Sequence, residues 1–190
     1  PGVPTGSGTI SVQAAAAVTR PPSSSMILHL SQALAKRLKC SLSYQDSKIA
    51  QPGRADAWSA DLFRVPRAGT HALVMHDASL WPIIIPLQEC RTYHTFLRAL
   101  LIHIELSYAV VGREFDGANV TVVATKRSNR SIIGSMNNAI YLVTSRVEHA
   151  MAVGEEVNWA DIQANLSQTP FMSLEGFFPD KAWARVAHEQ

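Results

Sequence analysis

The chain has 190 residues, of which 47% are hydrophobic and 17% are charged, and its formal net charge is +2. This length suits one domain with a sizeable core, and the net charge is too small to imply nucleic-acid binding from bulk electrostatics. The two cysteines are far apart and form no C-x-x-C pair, which argues against a zinc site or a disulfide framework and favours the cytoplasm. No apolar run reaches the about 18 residues that a membrane helix needs, so no membrane association is expected.

Residues 1–25 differ in composition from the rest of the chain. They are rich in Pro, Gly, Ser, Thr and Ala, and Arg20 is their only charged residue. No basic segment precedes the short Ala14–Val18 run, as a signal peptide would require. We interpret 1–25 as a flexible leader or a cloning-derived extension, and 26–190 as a single domain whose natural start is Met26.

Periodic patterns from Met26 onward predict the element order β-α-β-β-β-α-β-α-α. The expected strands cover 27–30, 58–65, 71–76, 80–86 and 120–125, and the expected helices cover 32–39, 92–111, 131–151 and 159–166. Ser31 and Asn158 are expected helix caps, and 40–56 is expected to be a loop. Turn residues between the second, third and fourth strands predict an antiparallel meander, and the triplet Ile83–Ile85 predicts a strand near the sheet centre.

This order predicts an α+β fold: a mixed, largely antiparallel sheet of about five strands with two long helices packed on one face. The tail from Thr169 has no clear period and is expected to be irregular. Its large apolar side chains favour packing back onto the domain or onto a partner. They are Phe171, Phe177, Phe178 and Trp183.

The most informative segment is Thr125–Asn138, with the sequence TKRSNRSIIGSMNN. It places three cations just ahead of a helix start, where free backbone N–H groups and basic side chains can bind an anion. The segment therefore predicts recognition of a phosphate, a nucleotide or a nucleic-acid backbone, with Arg130 as the main contact. The candidate ligand-binding residues are Lys126, Arg127, Asn129, Arg130, Ser131, Ser135, Asn137 and Asn138.

A purely structural interpretation of this segment stays open. Ser131 or Ser135 would cap the helix, Gly134 would allow close packing, and Lys126 and Arg127 would be ordinary solvated charges. The segment also lacks the spacing of a P-loop and of a dinucleotide-binding fold. A nucleotide-hydrolysing activity is therefore not predicted, and neither is a cofactor.

Other candidate chemistry is weaker. His71 and His76 lie on one strand and should point to opposite faces, and no zinc-binding motif occurs, so no metal ligands are predicted. No catalytic residues are predicted either. An enzyme stays an alternative only if its site is assembled from distant residues such as His29, His76 and Glu105. A further alternative is a protein–protein interaction module that forms homo-oligomers through apolar helix faces or the aromatic tail. The tryptophans favour core or interface packing over base stacking.

Three segments carry a family resemblance: MILHLSQALAKRL at 26–38, NRSIIGSMNN at 129–138, and 165–174. Together they resemble a family of short, uncharacterised bacterial and mobile-element proteins. The resemblance implies a domain over about 26–180 and names no activity. Asn138 stands where the family usually has an acidic residue, which counts against a metal role at this position.

Overall fold

The computed structural model describes residues 25–42, 57–174, 176 and 178–189. The expectations for residues 1–24 and for the loop residues 43–56 lie outside these described residues. The strands are β1 (Ser25–Leu30), β2 (Ala57–Val65), β3 (Gly69–His76), β4 (Pro82–Pro86) and β5 (Thr121–Lys126). The helices are α1 (Gln32–Leu38), α2 (Tyr93–Val110), α3 (Arg130–Ala152), α4 (Trp159–Ser167) and α5 (Pro179–Glu189), with a 3-10 turn at Gly117–Asn119.

The five strands form one mixed sheet in the order β4-β3-β2-β1-β5. The strands β2, β3 and β4 make the predicted antiparallel meander. The strand β1 pairs in parallel with β2 on one side and with β5 on the other. The predicted α+β fold with a mixed sheet of about five strands is therefore confirmed.

The strand β4 lies at an edge of the sheet, so its predicted central position is wrong. Pro82 and Pro86 lack a backbone N–H group, which confines a strand to the edge. The triplet Ile83–Ile85 is nevertheless buried on both faces, because α2 packs against β4 on one side and α4 on the other. Burial on both faces thus reflects the helices above and below this strand.

Two hydrophobic cores lie on opposite faces of the sheet. Val74 contributes to the core under α1 and α2, whereas its neighbours Leu73 and Met75 contribute to the core under α3 and α4. The two long helices α2 and α3 therefore cover different faces, and the prediction that they share one face is wrong. Since successive residues of β3 point to opposite faces and both sets are apolar, each face needs its own cover.

Local capping signals fix most helix starts. The side chains of Ser31 and Asn158 cap α1 and α4 as predicted. Thr92 caps α2 and forms a reciprocal capping box with Thr95, so α2 begins within one residue of its predicted start.

The tail is wrongly predicted as irregular, because its last part forms α5. Pro179 occupies the first position of this helix and Asp180 its first turn, which are both favourable there. Trp183 of α5 is fully buried, and its ring centroid lies 4.9–5.9 Å from those of Trp58, Trp81 and Tyr108. The expectation that the tail packs back onto the domain is confirmed for Phe171 and Trp183, whereas Phe177 lies outside the described residues.

Candidate functional site

Two adjacent parallel strands lead to helices on opposite faces of the sheet. The strand β1 is followed by α1, which packs on the same face of the sheet as α2. The strand β5 is followed by α3, which packs on the opposite face. In open sheets, ligands bind outside the carboxyl ends of such a strand pair, where the two connections diverge. We call this place the switch point and define it as Ser31 together with residues 126–131.

The three predicted cations of the switch point differ in their surroundings. Lys126 and Arg130 are exposed, and neither makes an ion pair with a described residue. Arg127 turns toward the sheet, where its Nη2 atom lies 2.7 Å from Asp61 Oδ2. Its Nη1 atom lies 3.2 Å from the sulfur of Met136 in α3. Two cations are thus open to a ligand and the third is engaged internally.

Asn129 caps α3, so the predicted cap at Ser131 or Ser135 is wrong. The Asn129 side-chain oxygen accepts hydrogen bonds from the backbone N–H groups of Ser131 and Ile132, at 3.0 and 3.5 Å. An asparagine satisfies these donors as well as a serine would. An anion at this place would therefore meet the basic side chains rather than these two backbone groups.

The remaining candidate residues lie further along α3. Ser135 is buried, and its hydroxyl oxygen lies 2.8 Å from that of Ser173, so it is held within the domain. Asn137 and Asn138 are exposed, two turns away from the helix start. Apart from the adjacent residues and the nearby backbone of its own helix, no atom lies within 4 Å of a Cβ added at Gly134, which contradicts the close-packing interpretation. The switch point thus brings together only the first part of the predicted set.

A buried polar cluster lies behind the switch point, on the α3 face of the sheet. We define it as His29, Ser59, Asp61, Asp77, Thr125 and Arg127. The His29 Nδ1 atom lies 2.7 Å from Thr125 Oγ1, and its Nε2 atom lies 3.6 Å from Asp77 Oδ2, which is longer than a hydrogen bond. Because His29 lies between β5 and β2 in the sheet, these contacts connect the end of β5 to its neighbours.

Asp77 is a buried carboxyl group of this cluster, and its pKa is shifted. Burial raises the pKa of the Asp77 carboxyl, and the nearby Ser59 hydroxyl, His29 and Arg127 partly oppose the shift. The Ser59 hydroxyl approaches the carboxyl without reaching hydrogen-bond geometry. Ser59 Oγ and Asp77 Oδ1 are both buried and have no hydrogen-bond partner in the described part of the chain. Such groups normally hydrogen bond to water, a ligand or the protein.

Sequence reasoning missed Ser59, Asp61, Asp77 and Thr125. A signal was present in β2, where Ser59 and Asp61 alternate with the apolar residues of a buried strand and so lie on one face. Their partners are up to 96 residues away, as in the His29–Thr125 pair. Only the strand order brings these residues together.

The two histidines and the one glutamate named for an enzyme do not converge. His29 lies on the α3 face, whereas His76 packs against Trp58 and Trp183 on the other face. Glu105 is exposed on the outer side of α2. The suggested grouping of these three residues is therefore wrong. Among the described residues, no three His, Cys, Asp or Glu side chains are grouped to hold a metal ion.

A separate groove of about 730 Å³ lies between α3 and α4. It is near the carboxyl end of α3 and so is distant from the switch point. Charges of both signs line it, including Arg146, His149 and Asp161. This mixture does not favour an anion, and the groove is not part of the candidate site.

The fold and the site define an α+β domain with a mixed sheet, helices on both faces and a basic switch point. The chain belongs to the family described as a domain of unknown function, DUF6933, whose model matches residues 27–182. No curated protein and no solved structure matches the chain. The bacterial and mobile-element origin implied by the resemblance stays a prediction.

Within the described residues, every helix falls short of the length and apolar character that crossing a bilayer requires.

Proposed function

We propose that the domain binds an anionic ligand, or the anionic group of a partner, at the switch point through Lys126 and Arg130. The ligand classes are phosphate, nucleotide and nucleic-acid backbone. The observation that carries the proposal is the presence of two exposed cations where adjacent parallel strands lead to helices on opposite faces. The proposal places the domain in the cytoplasm, because Cys40 and Cys90 are free thiols.

The roles of the basic residues differ in this proposal. Arg130 is the first residue of the 23-residue helix α3, whose positive end favours a bound anion. Its planar guanidinium suits a bidentate contact with phosphate oxygens, and Lys126 adds a second positive charge. Arg127 instead fixes the end of β5 to β2 through Asp61, so it positions the two binding residues.

Titration of the protein with inorganic phosphate, a nucleoside triphosphate and a short single-stranded oligonucleotide tests this function. We expect saturable binding of at least one probe, weakened by Lys126→Ala and by Arg130→Ala. For the oligonucleotide, the logarithm of the association constant decreases with the logarithm of the salt concentration. The magnitude of this slope should be smaller by roughly 0.7 for each phosphate that a variant no longer neutralises. A response to the oligonucleotide alone would identify nucleic acid, whereas a response to phosphate would identify a small anion.

The matched control is Arg146→Ala, an exposed arginine on the same helix. It lies sixteen positions after Arg130, which corresponds to about 24 Å along a helix. Binding of no probe, or equal binding by Arg130→Ala and Arg146→Ala, would reject the proposal.

A second candidate function is general acid–base chemistry at the buried polar cluster. It is supported by His29, whose ring lies between the Thr125 hydroxyl and the Asp77 carboxylate. Two buried oxygen atoms in the same cluster have no hydrogen-bond partner among the described residues. Such chemistry requires that a small molecule reach the ring. Diethyl pyrocarbonate should then modify His29 in the folded protein, as read by peptide mass mapping. Modification only after unfolding would reject this function.

A further inference from the structure

The helix α2 carries an exposed apolar stripe. Ile102, Leu106 and Val110 are 50%, 58% and 72% exposed. Their four-residue spacing places them on one face of the helix. Single exposed apolar residues are ordinary, but a continuous stripe of three marks an interaction surface.

A groove of about 590 Å³ runs beside this stripe, between α2 and the 3-10 turn. Its apolar lining includes Leu97, Leu101 and Phe115. A side chain from a helix lying on α2 can enter this space, so the surface suits a helical partner rather than a flat one.

The charges on the same face match a second copy of this chain. Arg98 and Glu105 are exposed on α2, and two helical turns separate them. Neither makes an ion pair with a described residue. They lie at equal distances from the midpoint between Leu101 and Ile102, one on each side. A twofold axis through that midpoint places each Arg98 opposite the Glu105 of the other copy.

We infer that α2 is the contact helix of an antiparallel homodimer with a twofold axis between Leu101 and Ile102. Twofold contacts are self-complementary, since each residue pair occurs twice. Ile102 of one copy meets Ile102 of the other near the axis, with Leu106 beside it. The two Arg98–Glu105 pairs lie alongside these apolar contacts. A parallel pairing would instead place like charges against each other, which is unfavourable.

Sedimentation equilibrium of the full chain over a range of concentrations tests the dimer. The wild-type mass should rise from 20.7 kDa toward twice that value. Arg98→Glu alone and Glu105→Arg alone should each lower the association constant roughly tenfold, because both replace two attractions by two repulsions. An equimolar mixture of the two variants should associate at least as well as the wild type, since opposite charges then meet again.

The mixing result separates this proposal from a loss of folding, which mixing cannot repair. Leu106→Asp should also shift the chain to the monomer, whereas Tyr141→Asp, at a 70% exposed site on α3, should not. A mass of 20.7 kDa at every concentration would overturn the dimer. A mixture that associates no better than either variant alone would overturn the antiparallel arrangement.

Discussion

Replacing Arg127 by methionine should destabilise the domain by about 3 kcal/mol. The side chains of Arg127 and Asp61 are 10% and 15% exposed, and their charged atoms lie 2.7 Å apart. A solvent-exposed pair contributes roughly 0–1 kcal/mol, whereas breaking a fully buried pair costs about 3–5 kcal/mol because one charge stays buried without a partner. This pair is mostly buried but close to the surface, so the lower end of the second range applies.

Urea unfolding and thermal unfolding measure this effect. For a chain of 190 residues, each kcal/mol corresponds to about 2–4 °C, so Arg127→Met should lower the Tm by about 8 °C. Asp61→Asn should also destabilise, because it leaves the guanidinium unpaired while keeping an oxygen for the backbone N–H of Leu62. The double variant should lose about 1.5–3 kcal/mol less than the sum of the two single variants.

The exposed Arg146→Ala is the control and should stay within about 0.5 kcal/mol of the wild type. If Arg127→Met costs no more than this control, the internal pair does not hold the end of β5. Additive single variants would lead to the same conclusion, because the double-mutant cycle isolates the pair.

Three further predictions concern other sites. Burial raises the pKa of Asp77 above its ordinary value of 3.8, so the folded state holds the proton more tightly and loses stability as pH rises through the raised pKa. The stability of Asp77→Asn relative to the wild type should therefore increase as the pH rises above 3.8, and a stability difference that does not change with pH would contradict the raised pKa. Burial, followed by the charge of Cys40, raises the pKa of Tyr93 to about 12, and its hydroxyl has no partner in the described residues. Tyr93→Phe should leave stability unchanged or raise it by up to ~1 kcal/mol, and should remove a phenol that ionises at about pH 12 in a spectrophotometric titration. Gly134→Ala should stabilise α3 by about 0.5–1 kcal/mol in urea unfolding, because an added methyl group meets no atom within 4 Å apart from the adjacent residues and the nearby helix backbone, and a loss of stability would refute this.

The features that the sequence predicts correctly are those with local causes. The helix α2 follows from its apolar period and from Thr92, whose hydroxyl accepts the N–H of Thr95. Ser31 and Asn158 are recognisable as caps for the same reason, since a cap involves only the next three residues. The helix α5 also had a local signal in Pro179 and Asp180, but the aromatic residues around it obscured the helical period.

The features that the sequence does not predict depend on which strands are neighbours. An apolar stripe shows that α3 buries one side, but it does not show which face of the sheet α3 covers. To predict the edge position of β4, the two prolines Pro82 and Pro86 have to count for more than the apolar triplet between them. The ion pair of Arg127 joins residues 66 positions apart, across the intervening strand β1.

The alternation of a β-strand explains why the basic segment divides as it does. Thr125 and Arg127 lie two residues apart and therefore share a face, which is the face where His29 and Asp61 are their partners. The backbone stays paired through Arg127, whose N–H donates to the carbonyl of Leu30, so the alternation still holds at that position. Lys126 lies between them and must point the other way, into solvent. Three consecutive polar residues at the end of a strand thus cannot all face one ligand. Arg127 pairs with Asp61 inside the domain, whereas Lys126 stays exposed.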